Sequence, residues 1–140
     1  MQTRADIAQL GPTGYELDCS GFTDADRQEI AKQVAEYRAV ENLLLGGDLY
    51  RTENPVEGNF FGFMVVSEDK EEAILTTYRR ISGVNNEVKR LAIKGLDPNK
   101  NYYITEMDKV LSGATLMNAG IPEDFPRMDF ATRKYHFKAI

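Results

Sequence analysis

The sequence predicts a mainly β protein with an N-terminal helical part, in which an antiparallel β-sandwich of about seven strands follows a long helix. Three observations carry that reading. After Gly46-Gly47 the chain breaks into short runs rich in Val, Ile, Tyr, Phe and Thr, separated by turn residues, which is the pattern of an all-β sandwich or barrel. Before that point, apolar residues recur with the period of a helix and mark one face of a surface helix. Finally, 140 residues with 42% hydrophobic and 28% charged side chains make one domain, which can bury roughly two thirds of its unfolded surface without a disulfide or metal.

The first element is a short helix over Gln2 to Leu10, with Ile7 and Leu10 three apart and Gly11-Pro12 to end it. Gly14-Tyr15-Glu16-Leu17 alternates weakly and predicts a short strand. Thr23-Asp24-Ala25-Asp26 offers an N-cap hydroxyl with a carboxylate three residues on, so that two otherwise unpaired N–H groups are satisfied. The two Asp residues also suit the positive end of the helix dipole. Ile30, Val34, Tyr37 and Leu44, with Ala31 and Ala35, then form one apolar stripe, and the helix spans about Asp24 to Leu44.

Seven strands follow: Asp48 to Thr52, Phe60 to Ser67, Ala73 to Ile81, Val88 to Lys94, Tyr102 to Glu106, Lys109 to Ser112, and Phe130 to Ala139. Asn54-Pro55, Ser67 to Glu71, Ser82 to Asn86 and Gly95 to Asn99 are turn compositions, with Asp97-Pro98 starting a type I turn. Phe60 to Val66 is almost continuously apolar, as in a strand covered on both faces, and the amphipathic helix is the nearest element to cover it. In the last strand Tyr135, Phe137 and Ala139 share one face, while Thr132, Lys134, His136 and Lys138 share the other.

Composition excludes several functions. With 17 basic against 22 acidic side chains and a net charge of -5, there is no basic field to drive phosphate-backbone binding, so nucleic acid is not expected as a partner. No apolar run approaches the 18 or so residues of a membrane span, and no apolar leader follows Met1. The expected compartment is the cytosol, where a lone Cys is ordinary. One His and one Cys are too few for a metal site, and no cofactor is expected. Cys19 and His136 lack an orienting third group for a thiol dyad, and Gly11-Pro12-Thr13-Gly14 lacks the Lys of a phosphate loop. The charge run Glu68 to Glu72 reads as a solvated hairpin turn.

Among carboxylates, Glu16 and Asp18 are the pair to test. On an extended strand they share a face roughly 6.6 Å apart, within reach of the separations that glycoside hydrolysis uses. That spacing is common, and it defines no catalytic pair.

Six segments, in order along nearly the whole chain, resemble the C-terminal part of bacterial α-galactosidases of glycoside hydrolase family 36. They are Thr3-Arg4-Ala5-Asp6-Ile7-Ala8, Gly14-Tyr15-Glu16-Leu17-Asp18, Gly47-Asp48-Leu49-Tyr50-Arg51, Met64 to Lys70, Lys94-Gly95-Leu96-Asp97-Pro98, and Leu116-Met117-Asn118-Ala119-Gly120. The resemblance implies a division: residues 1–45 as the closing segment of a (β/α) barrel, and 46–140 as the C-terminal antiparallel sandwich. It implies a role as well, that of an accessory region packing on the catalytic barrel of a retaining α-galactosidase. The family's two catalytic Asp residues fall upstream of the part matching Gln2, so no catalytic residue is expected here and the chain alone is expected to be inactive. Arg4 and Asp6 follow closely after the family's acid/base segment, and they are the residues to watch for proximity to the sugar pocket; otherwise they belong to an exposed helix face. Phe63 stands where Trp is common in the family, and Pro12 and Thr13 occupy a loop that usually carries other residues.

A helix and strand cut from a barrel leave apolar surface exposed, to which Ile7, Leu10, Tyr15 and Leu17 contribute, and this predicts self-association. The alternative is a free-standing carbohydrate-binding sandwich, in which Tyr50, Tyr78, Tyr102, Tyr103 and Tyr135 stack on sugar faces.

Overall fold

The computed structural model describes residues 2–16, 18–54, 56, 58–83 and 89–140. Helix α1 (Gln2–Ala8) is followed by a single 3-10 turn (Cys19–Gly21) and the long helix α2 (Asp24–Gly46). Strands β1 (Asp48–Glu53), β2 (Phe60–Val66) and β3 (Glu72–Arg79) come next, then β4 (Arg90–Leu91), β5 (Asn101–Ile104) and β6 (Lys109–Ser112). Helix α3 (Gly113–Ala119), β7 (Ile121–Pro122) and β8 (Ala131–Ala139) complete the chain.

The strands form a six-stranded sheet in the order β1-β2-β3-β8-β5-β6 and a two-stranded ribbon of β4 and β7, with every pairing antiparallel. The mainly β class with N-terminal helix is as the sequence predicts, but the second layer is thinner than a seven-stranded sandwich. Predicted Val88 to Lys94 contracts to Arg90–Leu91, and Val88 itself lies outside the described residues. The second layer is instead the ribbon, α3 and the intervening loops. Their Leu91, Ile93, Leu96, Leu116 and Ile121 close over Met64, Leu75, Tyr102, Ile104, Tyr135 and Phe137 of the sheet, in one core whose members are all nearly inaccessible to solvent.

Local chemistry explains the elements. Thr23 and Asp26 form the expected reciprocal cap, the hydroxyl accepting from the Asp26 N–H at 3.2 Å and the carboxylate from the Thr23 N–H at 3.0 Å. These hydrogen bonds from Thr23 hold the Asp26 carboxyl below the usual carboxylate range. The β2–β3 hairpin turns through the charge run, where Lys70 donates to the Ser67 carbonyl at 2.9 Å and Lys70 takes a positive φ of 57°. Asp97-Pro98 turns as predicted, its carbonyl accepting from the Lys100 N–H at 3.3 Å. Gly95 has φ 82°, and a Cβ there would strike the Tyr50 ring, so only glycine fits. Helix α3 was not legible as a helix. Its signals are Ser112, whose hydroxyl accepts from the Thr115 N–H at 3.1 Å, and Gly120, which ends it at φ 63°.

Two expectations about the N-terminal part need correction. Residues 14–16 belong to no strand, because no neighbouring strand edge is offered to them among the described residues; Leu17 lies outside those residues. The stripe on α2 is not pressed onto the sheet along its length either. Only the C-terminal turns pack there, where Leu43, Val40 and Leu44 meet Val65 and Ile74 on the outer face of β2 and β3. Further up the helix Gln33 and Tyr37 are buried, whereas Val34 is 40% exposed.

Candidate functional site

The outer face of the sheet carries the polar side of β8, and α1 docks on it. Asp6 is only 4% exposed. Its carboxylate meets Lys134 Nζ at 2.8 Å, accepts from Thr132 Oγ1 at 2.5 Å and from Gln2 Nε2 at 2.8 Å, while Lys134 also donates to Gln9 Oε1. The register makes this possible: Thr132 and Lys134 are two apart on β8, so both project outward to the same helix. Asp6 thus does not sit on an exposed helix face. It is a buried, fully partnered carboxylate holding a helix to a sheet. Arg4, two residues earlier, is exposed.

A groove of about 1010 Å³ runs between the helices and this outer face. Five carboxylates line it: Asp6, Glu36, Glu72, Glu106 and Asp124. Every one is engaged. Glu72 binds His136 Nε2 at 2.7 Å and faces Lys138 at 3.6 Å, and Glu106 accepts from the His136 N–H at 2.7 Å. Glu36 pairs with Lys32 at 3.8 Å and Asp124 with Arg133 at 3.8 Å. A general acid paired with a nucleophile needs two carboxyl groups free to face a substrate, and the acids of this groove meet cations or, for Glu106, a backbone N–H instead.

A second cavity of about 550 Å³ lies between α1, the 11–22 segment and α2, with Tyr15, Phe22, Val34 and Tyr37 among its walls and Arg4 and Glu16 at its margin. Asp18 does not join Glu16 there. It caps the 3-10 turn, accepting from the Ser20 N–H at 2.9 Å, and that bond holds its carboxyl below the usual carboxylate range. The Glu16/Asp18 pair is therefore not assembled. His136 is committed to Glu72, and Cys19 is at the surface. Among the described residues no group of three or more His, Cys, Asp or Glu side chains could hold a metal ion.

The tyrosines fare no better as a sugar platform. Tyr102 and Tyr135 are buried at 0% and 3% exposure, Tyr50 packs against the core, Tyr78 stacks on Phe61 at 4.5 Å between ring centroids, and the Tyr103 hydroxyl bonds Asp108 at 3.0 Å. Sequence reasoning missed one constellation. Arg79, 1% exposed, lies over the Phe125 ring at 5.2 Å, donates to the Pro126 carbonyl at 2.5 Å, and faces Glu123 at 3.6 Å. Burial pushes the Glu123 carboxyl up from its usual range. A charge inside a run predicted as strand carried no signal of this pairing, since its partners lie more than 40 residues away.

Fold and site together define a helix-led β domain without an assembled reaction centre among its described residues. Residues 61–137 match the family model of the glycosyl hydrolase family 36 C-terminal domain, and the chain belongs to that family. It is 36% identical over 140 residues to alpha-galactosidase AgaA of Geobacillus stearothermophilus, covering 100% of this chain and 19% of that protein. It is 33% identical over 140 residues to alpha-galactosidase 1 of Pediococcus pentosaceus, again 19% of that protein. The solved structure of AgaB from Geobacillus stearothermophilus superposes with a TM-score of 0.93 at 37% identity, over 98% of this chain and 19% of that one. The chain spans about a fifth of the length of these relatives, and it corresponds to their C-terminal, accessory region, not to their catalytic domain.

Proposed function

We propose that this chain is the C-terminal accessory part of a retaining α-galactosidase, packing against and stabilising a catalytic (β/α) barrel whose residues perform the hydrolysis. One observation carries the reading: α1, α2 and the β domain are reproduced together over 99% of this chain, at a TM-score of 0.94, within the AgaA α-galactosidase of Geobacillus stearothermophilus. In this reading residues 1–45 close the barrel, which accounts for an amphipathic helix whose Val34 faces solvent and a Gly14–Glu16 segment with no strand beside it. Residues 46–140 are the sandwich. Arg4 and Asp6 contribute by position, Asp6 by fixing α1, and neither supplies reaction chemistry. The α-galactoside is bound by the full-length polypeptide, in the cytoplasm.

The role is tested in the full-length polypeptide by deleting residues 48–140. The thermal midpoint of α-galactosidase activity should fall by roughly 10 °C or more, because the large apolar face of α2 at Leu43 and Leu44 loses its cover. An unchanged midpoint would argue against an accessory, stabilising role. The carbohydrate-binding alternative has lost Tyr102 and Tyr135 to the core, so no structural observation favours it.

A further inference from the structure

Ile81, Met128 and Phe130 are 53%, 55% and 57% exposed, and hydrogen bonds bring them together. The Phe130 N–H donates to the Arg80 carbonyl at 2.9 Å, and the Ser82 N–H donates to Asp129 Oδ1 at 2.7 Å. The 126–130 turn therefore lies alongside residues 80–82 and adds its apolar side chains to Ile81. Large exposed apolar side chains gathered in one place mark contact surfaces.

The backbone beneath this patch is held firmly. Phe130 has φ 55°, a left-handed conformation that bulky residues rarely adopt. Strain of this kind persists only where the surroundings over-determine it. Here Arg79 supplies the constraint from the interior, donating to the carbonyls of both Pro126 and Met128, at 2.5 and 3.3 Å. The fold thus fixes a strained turn whose aromatic side chain makes its display in solvent.

Two arginines adjoin the patch in sequence: Arg80 precedes Ile81 and Arg127 precedes Met128, and both are exposed. The Thr3 hydroxyl donates to the Phe130 carbonyl at 2.7 Å, which ties α1 to the same turn. Phe, Met and Arg are the side chains enriched at protein contacts. The fitting partner is an apolar surface rimmed by carboxylates.

The Thr3 bond also indicates which partner. In the relatives the matched part is C-terminal, and about four fifths of the polypeptide lies outside it. That remainder joins the present fold through α1, the helix tied to Phe130. We propose that Ile81, Met128 and Phe130, with Arg80 and Arg127 beside them in the chain, form the surface on which the preceding, catalytic portion of the full-length polypeptide docks, with its carboxylates meeting the arginines. This rests on the accessory role argued above and names its contact surface.

Oxidation of Met128 by dilute hydrogen peroxide, read by peptide mass spectrometry, tests the proposal in the 140-residue chain and in the full-length polypeptide. Methionine oxidation follows exposure, so Met128 should react roughly tenfold more slowly in the full-length protein; equal rates overturn the proposal. Two variants provide an independent readout. Phe130→Asn keeps a residue that tolerates left-handed backbone and removes the ring, and Arg127→Glu reverses a rim charge. Both should lower the thermal midpoint of the full-length protein while leaving melting of the 140-residue chain unchanged. Equal losses in both proteins would assign these residues to internal packing and overturn the proposal. A full-length protein that protects Met128 but releases no nitrophenol from an α-galactoside would support the docking surface while removing the galactosidase reading.

Discussion

Tyr135 shows how a single residue carries both the fold and its pH limit. Its ring fills the core at 3% exposure, and its hydroxyl is buried with no hydrogen-bond partner among the described residues. Burial pushes the phenol up to about 12, against about 10 for an unfolded tyrosine. A raised folded-state value means that the stabilisation is fully present below pH 10 and is lost as pH climbs from 10 towards 12. Tyr135→Phe should therefore stabilise the chain by about 1 kcal/mol at neutral pH, since a buried unpaired hydroxyl is removed at constant shape. It should also flatten the loss of stability above pH 10. Urea melts at pH 7 and pH 11 measure both effects, and a variant less stable than wild type at pH 7 would show that the hydroxyl has a partner. The inward placement of Tyr135 was legible, because Tyr135 and Phe137 alternate with Lys134 and His136. The role of Asp6 was not: its partners Thr132 and Lys134 lie about 126 residues along the chain, and no local pattern announces a contact at that separation.

At the scale of elements, the docking of α1 rests on few side chains. The helix has seven residues, too short to persist alone, and its attachment to β8 runs through Asp6 and Gln9. Replacing Asp6 with Ala leaves Lys134 facing a buried gap and removes the Thr132 bond, at a cost of about 2–4 kcal/mol. Because short terminal elements open locally, the loss should register as faster hydrogen exchange at the Gln9 amide, which bonds the Ala5 carbonyl at 3.0 Å. Protection equal to wild type would mean that α1 is held by other contacts. Elements with a strong period were read correctly, β2, β3 and β8 by alternation or apolar continuity, and α2 by its cap and stripe. Those missed were short or dependent on neighbours. Helix α3 spans seven residues with Gly113 and Thr115 in its first turn, which propensity disfavours. The Gly14–Glu16 segment has strand-like alternation but no adjacent edge to bond. The stripe of α2 foretold an apolar face and could not tell which part of it the sheet would cover.

For the molecule as a whole, the two-layer β domain is built round a closed apolar core, with Met64, Leu75, Tyr102, Ile104, Leu116, Ile121 and Phe137 all at 0% exposure. Around that core the chain leaves conspicuous apolar surface in water. Leu45 and Leu49 are 49% and 55% exposed near the α2–β1 junction, in addition to the Ile81, Met128 and Phe130 patch. Exposed apolar side chains gathered in this way mark contact surfaces. The carboxylates of the groove on the outer face of the sheet all meet cations or a backbone N–H group. Purified 140-residue chain incubated with p-nitrophenyl α-galactoside tests the consequence most directly. Retaining hydrolysis requires a free nucleophilic carboxylate and a separate acid/base, so the account predicts no nitrophenol above the enzyme-free blank; sustained release proportional to protein concentration would contradict it.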